Sequence, residues 1–250
     1  MNTRACVAAA AARVVKWRFM RIVFTAAAFA LLLNGTAVAQ EHQDSQDPTK
    51  QLPKAYQLLF ENDWVRALRV HYDARAKLPE HEHPAGVTVY LYLNASDGVL
   101  FTHADGSEPL PRPPVQPGAI RVGHGPYEHH TVTNNAATPS DFIRVLLKAE
   151  QGQGKVRNPL TRMPPNVMDY EHPMVRVTRI NVQPGTKTRV EATKFPILRI
   201  AWIPGKTEWR LAAKDGYRFL DKGTTEEFEV TGDVPMQLVT IELRTPVKAR

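Results

Sequence analysis

The chain has 250 residues, of which 43% are hydrophobic and 23% charged, and these values exclude a wholly disordered chain, a collagen or a coiled coil. Its formal charge of +7 points at face value to an anionic partner such as nucleic acid. Five of the 32 basic residues and none of the 25 acidic ones lie in residues 1–39, so the rest of the chain carries a charge of only +2. Nucleic acid is therefore not expected as a partner.

Residues 1–39 are predicted to form a signal peptide. Arg18 and Arg21 precede an apolar run from Ile22 to Leu33, and Ala37-Val38-Ala39 provides the small residues of a cleavage site. The run is shorter than the roughly 20 residues of a membrane span. We therefore predict cleavage after Ala39, a periplasmic or secreted protein, and no stable membrane insertion after cleavage. The alternative is an uncleaved N-terminal anchor.

Cleavage at this site also removes Cys6, the single cysteine of the chain. A mature protein without cysteine has no disulfide, no thiol nucleophile and no cysteine-bound zinc. The polar residues 40–53 are predicted to be a disordered leader. Beyond them we predict an N-terminal domain over 54–150, a linker rich in Gly, Pro, Asn and Arg over 151–168, and a C-terminal domain over 169–250.

The rest of the chain is predicted to be all-β. Short runs rich in β-branched and aromatic residues are separated by Gly, Pro, Asn and Asp, and helical periodicity is not evident. Many short strands with turn residues between them are typical of a sandwich or a barrel. The clearest runs are Trp64–Tyr72, Gly86–Leu93, Gly98–His103, Ala119–Val122, His130–Thr133 and Phe142–Lys148.

An internal repeat indicates two copies of one unit. Val65–Val70 resembles Val175–Ile180, which lies 110 residues later. The alternative is chance similarity between two β domains, since the matched residues are common in strands. Further matched pairs are Lys77 with Lys187, Tyr92 with Trp202, Glu128–Thr133 with Glu226–Thr231, and Phe142–Lys148 with Leu238–Arg244.

Histidines are concentrated in the first copy, where seven of the nine fall between His71 and His130. Histidine is the commonest metal ligand among side chains. His81 and His83 are two residues apart and would project from the same face of a strand. In the second cluster, the same parity places His130 on one face with Asn134. The two clusters are therefore candidates for a metal site.

These motifs resemble those of the cupin superfamily. His81, Glu82 and His83 match the start of the first cupin motif, and His130 with Asn134 matches the end of the second. Pro117-Gly118 is similar to the turn that leads into the second motif. The resemblance covers about residues 55–250 and implies two cupin-type barrels in tandem, each a double-stranded β-helix or jelly roll. The sequence departs from the family where a glutamate ligand is expected, because Val87 and Thr88 stand there.

The candidate metal ligands are His81, His83 and His130. Counting forward from Gly118 favours His129 instead of His130. We prefer His130 because it keeps the family's spacing to Asn134 and aligns with Phe228 of the second copy. Three neutral imidazoles leave open positions on a divalent metal, which suits Fe, Zn, Ni, Mn or Cu. The resemblance to the thiol-dioxygenase branch of the cupins, in which three histidines bind iron, favours Fe.

The favoured function is a metal-dependent oxygenase that acts on a small organic molecule. The alternatives are a non-catalytic cupin that binds a small ligand or a sugar, and an isomerase or lyase that uses the metal as a Lewis acid. Glu128 and Tyr127 are weaker candidates for acid–base catalysis near the mouth of the barrel. Arg69 and Arg144 either pair with a carboxylate substrate or form surface ion pairs.

The second copy is predicted to lack the metal site. Glu191 and Thr193 stand where His81 and His83 are found, and Phe228 aligns with His130. One carboxylate without a histidine is a poor site for a transition metal. We therefore expect the second copy to cover apolar surface of the first or to mediate homodimerisation.

Overall fold

The structure is a computed structural model that describes residues 47–125, 127–148, 158–163, 165–166, 168–213 and 216–244. The predicted signal peptide and most of the predicted leader lie outside the described residues. Of the leader, Pro48–Gln51 form one helical turn, α1. From Pro48 onward the described residues form one compact unit. No helix in these described ranges is long and apolar enough to cross a membrane.

Apart from α1, the regular structure of the described chain is β, as predicted, and each of the six runs identified in the sequence overlaps a strand. Consecutive elements are short and joined by turns, as expected for a sandwich or barrel. The strands are β1 (Tyr56–Glu61), β2 (Val65–Tyr72), β3 (Lys77–His83), β4 (Gly86–Tyr92), β5 (Val99–His103), β6 (Leu110–Pro111), β7 (Ile120–Gly125), β8 (Glu128–Asn134), β9 (Ser140–Leu147), β10 (Asn158–Met163), β11 (Asp169–His172), β12 (Val175–Val182), β13 (Lys187–Glu191), β14 (Ile197–Ile203), β15 (Arg210–Leu211), β16 (Tyr217–Leu220), β17 (Thr225–Glu229) and β18 (Met236–Leu243).

The strands up to β10 build two sheets that face each other, here called the N-terminal sheet pair. A six-stranded sheet has the order β1-β2-β9-β4-β7-β10, and a four-stranded sheet has the order β3-β8-β5-β6. Apolar side chains from both sheets meet between them, including Val70 and Phe142 from the first and Phe101 and Val132 from the second. Strands β3 and β8, which carry the histidines, each turn one face toward this interior.

The remaining strands repeat the arrangement as a C-terminal sheet pair. Its larger sheet has the order β11-β12-β18-β14-β15, with β16 also paired to β14, and its smaller sheet consists of β13 and β17. Val182, Val190, Phe228 and Leu238 pack in a separate apolar cluster between these sheets.

The two large sheets pack against each other through a third and larger core. Leu91 and Val145 of the N-terminal pair join Val177 and Ile200 of the C-terminal pair in one buried cluster. Every residue of β4 and β9 is consequently buried, because one face of their sheet meets the C-terminal pair and the other meets the four-stranded sheet. A strand buried on both faces loses the alternation of polar and apolar residues.

A tight contact at Gly118 also joins the two sheet pairs. Gly118 has a φ of +76°, a conformation that L side chains rarely adopt, and a Cβ at this position would lie 2.5 Å from the ring of Trp209. The backbone amide of Trp209 donates a hydrogen bond of 2.5 Å to the carbonyl oxygen of Leu93. Only glycine fits the turn at 118, both for its backbone conformation and for the indole beside it.

The internal repeat is visible in the strand pairing. β2 pairs with β9 from Val65 opposite Leu147, and β12 pairs with β18 from Val175 opposite Leu243. Both ladders run for eight residue pairs without a register shift. The segment predicted as a linker contains β10, which pairs with β7 and so extends the six-stranded sheet.

We expect Leu91→Ala to lower the free energy of unfolding by about 2–5 kcal/mol, because it leaves a cavity in the core between the large sheets. Leu58→Ala, at a leucine on β1 that is 51% exposed, should change it by less than about 0.5 kcal/mol. Urea denaturation followed by tryptophan fluorescence and by circular dichroism measures both variants. Two separate transitions, of which Leu91→Ala shifts only one, would contradict a core shared by the two sheet pairs.

Candidate metal centre

The register between β3 and β8 determines which histidines meet. Pro79 lies in β3 and has no backbone N–H, so it cannot donate a hydrogen bond to the ladder. The pairing shifts by one residue between Leu78 and His81, and after the shift His81 stands directly opposite His130. Residues directly opposite each other in an antiparallel pair share a face of the sheet. The bulge therefore brings the histidines of both motifs to the interior face.

Three histidines converge in this interior. His81, His83 and His130 are all buried, and one ring nitrogen from each lies within 4.8 Å of the others. The ring centroids are 5.0 Å apart for His81 and His83, 5.0 Å for His81 and His130, and 5.3 Å for His83 and His130. A divalent ion coordinates imidazole nitrogen at about 2.0–2.1 Å, so two nitrogens bound to one ion lie at most about 4.2 Å apart. Nitrogens that lie within 4.8 Å of each other therefore need at most a small shift to bind one ion.

His81 is held in one tautomer by the bulge. Its Nδ1 lies 2.8 Å from the carbonyl oxygen of Pro79, which can only accept, so Nδ1 carries the proton and donates. Its Nε2 then has the free lone pair and accepts a hydrogen bond of 2.8 Å from the hydroxyl of Tyr56. The same hydroxyl lies 2.8 Å from that of Tyr72. Orientation of a ligand histidine through its second nitrogen is usual in metal sites.

His130 is the residue that most needs a further partner. Neither of its ring nitrogens has a hydrogen-bond partner among the residues that the structure describes, although both are buried. An unsatisfied polar atom in a protein interior costs about 1–3 kcal/mol. A metal ion beside His81 and His83 would satisfy one of these nitrogens. The residues present thus fit a bound divalent metal.

All three imidazoles are neutral at physiological pH. Burial, followed by the charges of His81 and Arg144, lowers the pKa of His130 to about 2. Burial, followed by the charge of Arg144, lowers the pKa of His83 well below its usual value. Burial also lowers the pKa of His81. Only the neutral ring offers a lone pair, so metal binding needs no proton release from these side chains.

The structure distinguishes His130 from His129, the alternative candidate for the third metal ligand. His129 stands opposite Glu82 on the other face of the β3–β8 ladder, and its Nε2 lies 3.4 Å from a carboxylate oxygen of Glu80. Its side chain is 32% exposed, against 1% for His130. The structure therefore brings His130, and not His129, to His81 and His83.

Glu128 and Tyr127, the weaker candidates for acid–base catalysis, differ in burial. Glu128 stands opposite His83 on the interior face, and its Oε2 lies 4.0 Å from Nδ1 of His130. Tyr127 is 49% exposed at the surface, where burial and a hydrogen bond with Glu82 raise the pKa of its hydroxyl. Glu128 is thus placed to exchange a proton with a group at the metal centre, and Tyr127 is not.

The sequence reasoning missed His103. It lies on β5 opposite His130, with ring centroids 5.6 Å apart, and its buried Nε2 has no hydrogen-bond partner in the described part of the chain. The alternation of β5 is the one signal that could have found it, because Phe101 and His103 share a face. His103 and Glu128 flank the three histidines from two different strands.

The C-terminal sheet pair holds an ion pair in the equivalent place. Arg199 is fully buried, and its Nε and Nη2 donate to the two carboxylate oxygens of Glu226 at 3.0 and 2.6 Å. Its guanidinium also lies 4.9 Å over the ring of Phe228. A charged pair replaces the three imidazoles.

The predicted alignment of Phe228 with His130 was wrong. Phe228 stands opposite Thr188, as Val132 stands opposite Leu78, so Phe228 corresponds to Val132. The equivalent of His130 is Glu226, which lies two residues earlier in the same strand. The sequence alignment matched Glu128–Thr133 with Glu226–Thr231 by residue type, which is two residues out of register with the strand pairing but keeps the same face of the strand.

Comparisons with known proteins identify the fold. No protein-family model and no curated protein sequence matches the chain. Among solved structures, AerE from Microcystis aeruginosa superposes with a TM-score of 0.51 and 11% identity over 75% of this chain and 91% of its own. The bacterial pirin YhhW from Escherichia coli, in complex with nickel(II), does so with a TM-score of 0.50 and 11% identity over 77% of this chain and 91% of its own.

These similarities, together with the sheet order and the three-histidine group, show an all-β protein with the jelly-roll fold of the cupins. The resemblance of the histidine motifs is confirmed at the level of the fold. The fold alone does not identify the function, because proteins with unrelated activities share the same fold. The function of this protein must therefore be argued from the residues of the site.

We expect the metal-free protein to lose stability as the pH falls below about 6.5. In that range an unfolded histidine binds a proton that folded His130, with its pKa of about 2, does not. The free energy of unfolding then decreases by up to about 1.4 kcal/mol per pH unit for each such histidine. Urea denaturation of chelator-treated protein between about pH 7.5 and pH 5 measures the slope.

His130→Asn should make this slope shallower, because one buried group no longer titrates. His71→Asn should make it steeper. Burial opposes charging of His71, but its hydrogen bond with Asp141 raises the pKa overall, so His71 stabilises the fold more at low pH. Equal slopes in all three proteins would contradict the assignment of a buried, neutral His130.

We expect Arg199→Met to lower the free energy of unfolding by about 3–5 kcal/mol, because it removes both hydrogen bonds of Arg199 to the buried Glu226 and leaves this carboxylate the longer contact of 3.5 Å with the exposed Arg218. The double variant Arg199→Met/Glu226→Leu should regain most of this loss. Arg176→Met, which breaks an exposed ion pair of the same 2.6 Å length, should leave the free energy of unfolding close to that of the wild type. A double variant as unstable as the single one would show that the loss comes from packing rather than from the buried carboxylate.

Proposed function

We propose that the protein is an exported metalloenzyme of the mononuclear oxygenase type that acts on a small organic substrate, with iron held by His81, His83 and His130. The observation that carries the proposal is the buried, neutral triad in which His130 has no partner among the described residues. The triad adjoins a cavity between the two sheets of the N-terminal pair, because His83 belongs to the walls of both.

A divalent transition metal fits these ligands better than a hard cation. Imidazole nitrogens suit Fe, Zn, Ni and Cu, whereas Mg and Ca prefer oxygen. The nickel(II) complex of the Escherichia coli pirin supports a divalent ion within a fold of this kind. Three protein ligands leave positions open on the ion, and such an ion can orient and polarise both substrate and oxygen.

The side chains around the triad have roles that follow from their contacts. Pro79 fixes the ring of His81 through its carbonyl oxygen, and Tyr56 holds a hydroxyl at the nitrogen that would bind the ion. Glu128 lines the cavity near His130 and can accept or return a proton there. The aromatic rings around the site exclude water from the interior.

The N-terminal pattern supports export as part of the proposal. A basic start, an apolar run and small residues before Gln40 are the features of a secretory signal. Cleavage after Ala39 would leave the mature chain without cysteine, so no thiol would be oxidised in an oxidising compartment.

We expect untagged protein to contain close to one equivalent of metal, mainly iron, by mass spectrometry of the elements. His81→Ala and His130→Ala should each lower metal content at least about tenfold, since each removes one of the ligands. His71→Ala is the matched control, because its imidazole is bound by Asp141 and Asp73 at the surface and should leave metal content unchanged.

Oxygen consumption with a panel of thiols and phenols then tests the reaction. Uptake by the iron protein that disappears in both ligand variants supports the oxygenase. A redox-inert metal without oxygen uptake would favour a Lewis-acid isomerase or lyase, or a binding protein. The proposed metal site would be contradicted if the wild type contained no metal, or if both histidine variants contained as much metal as the wild type.

A further inference from the structure

The candidate metal centre has no anionic ligand among its three histidines. In the part of the chain that the structure describes, His81, His83 and His130 are the one group of three or more His, Cys, Asp or Glu side chains whose ligand atoms lie close together. The glutamate of the first cupin motif is replaced by Val87 and Thr88. An ion held by three neutral imidazoles alone would keep its full positive charge in the protein interior, where an uncompensated charge is costly.

A tyrosine hydroxyl lies where a fourth ligand would bind. The hydroxyl oxygen of Tyr56 is 2.8 Å from Nε2 of His81, the ring nitrogen that carries no proton. Two donor atoms of one ion, each at about 2.0–2.1 Å from it, lie about 2.8–3.4 Å apart when they are neighbours in its coordination sphere. The oxygen and the nitrogen thus already have the separation of two ligands of one ion.

The ring of Tyr56 is packed against the imidazoles. Its centroid lies 5.1 Å from that of His81 and 5.4 Å from that of His83, close to the 5.0–5.3 Å that separate the three imidazoles from one another. Tyr56 is 1% exposed and begins β1, at the edge of the six-stranded sheet. Its side chain therefore reaches from one sheet of the N-terminal pair to the histidines of the other.

The hydroxyls of Tyr56 and Tyr72 have two protons but only one acceptor outside the pair. Their oxygens are 2.8 Å apart, and among the described residues Nε2 of His81 is the one further hydrogen-bond partner of either hydroxyl. In the metal-free protein Tyr56 donates to Nε2 and Tyr72 donates to Tyr56. When an ion takes the lone pair of Nε2, one of the two protons loses its acceptor. A buried polar group without a partner is costly.

Loss of the proton from Tyr56 removes this conflict. The O–H bond breaks, the proton leaves for solvent water, and the oxygen keeps the electron pair with which it binds the ion, so that nothing is oxidised or reduced. A bound cation favours the deprotonated form of a ligand such as water or a thiol, and a phenol is a ligand of the same kind. Tyr72 then donates its hydrogen bond to the phenolate oxygen, which it already faces.

Positive charge near the two hydroxyls favours an anionic oxygen. Arg112, Arg121 and Arg144 line the cavity to whose walls Tyr72 belongs, and Glu128 is the one carboxylate among these lining residues. A nearby opposite charge favours the charged form of a group. The excess of cations therefore stabilises a phenolate beside Tyr72.

We infer that the phenolate oxygen of Tyr56 is the fourth protein ligand of the metal, in place of the glutamate that the first motif lacks. The inference rests on the proposed function in so far as the three histidines hold a metal, but it does not depend on the reaction. A phenolate lowers the charge of the bound ion by one and leaves the remaining positions on the ion open.

Visible absorption of the iron protein tests this ligand, because Fe(III) bound to a phenolate has an intense charge-transfer band that imidazole ligands alone do not give. Chelator-treated protein is reconstituted with Fe(II), oxidised with ferricyanide and freed of excess reagent, and the absorbance is expressed per iron bound. We expect the band in the wild type, and resonance Raman excitation within it should show the ring vibrations of a bound tyrosinate. Tyr56→Phe should lack the band.

Tyr92→Phe is the matched control, because Tyr92 is also buried in this interior, at 5% exposure, but its hydroxyl contacts Arg121 and no histidine. Its band should equal that of the wild type. Tyr72→Phe should keep the band but move it to longer wavelength, because the phenolate loses the hydrogen bond that stabilises it. Circular dichroism verifies the folding of each variant.

The outcomes separate this inference from the proposed function. Iron bound to the wild type without the band, or an equal band per iron in Tyr56→Phe, would overturn the tyrosine ligand and leave the three-histidine site standing. The wild-type spectrum decides even if the variant does not fold. Failure to bind added iron would overturn the ligand and the metal site together. The band in a protein that takes up no oxygen with the thiols and phenols would support the tyrosine ligand while the oxygenase fails.

Discussion

The one-residue shift between β3 and β8 is the constraint on which the candidate centre depends. Pro79 cannot complete the ladder, and the shift places His81 opposite His130 and His83 opposite Glu128. Without it, the strict alternation of a strand would pair His81 with His129, and His130 would lie on the opposite face of the sheet from His81. The carbonyl oxygen released at the bulge is then used to orient His81. The backbone irregularity and the ligand geometry thus have one cause.

Rigidity of the centre comes from packing on both sides of the six-stranded sheet. Its inner face supplies Tyr72, Tyr90 and Phe142 to the walls of the cavity, and its outer face is covered by the C-terminal sheet pair. Close-packed interiors allow little displacement of side chains. The second half of the chain therefore supports the site without contributing a ligand, which explains how it can lack the histidines and still matter to the activity that we propose.

Sequence reasoning predicted the elements that depend on local pattern. The spacing of His81 and His83 is a local property of the strand, and the spacing from His130 to Asn134 resembles that of the cupins, so the three histidines could be named from the sequence. The bulge in β3, which decides that His130 rather than His129 meets His81, was not predicted. His103, Arg112 and Tyr56 were missed because their positions depend on which strands become neighbours, and β1, β5 and β6 contain no motif that specifies this. Arg144 was named with two interpretations, and only the fold shows that it faces the cavity while Arg69 pairs with Asp141 at the surface.

In the C-terminal half, the space between the two sheets contains a buried ion pair where the N-terminal half has its three histidines. Glu226 occupies the position of His130, and Arg199 stands on β14 opposite Thr240, as Tyr90 stands on β4 opposite Arg144. A buried carboxylate is stable there because the guanidinium forms two hydrogen bonds with it. In the N-terminal half Tyr90 stands at the place of Arg199, and the residue at the place of Glu226 is the neutral imidazole of His130. The C-terminal half pairs the buried Glu226 with Arg199, whereas the N-terminal half leaves both ring nitrogens of His130 without a hydrogen bond among the described residues. This difference is the reason that we propose ligand binding in the N-terminal half.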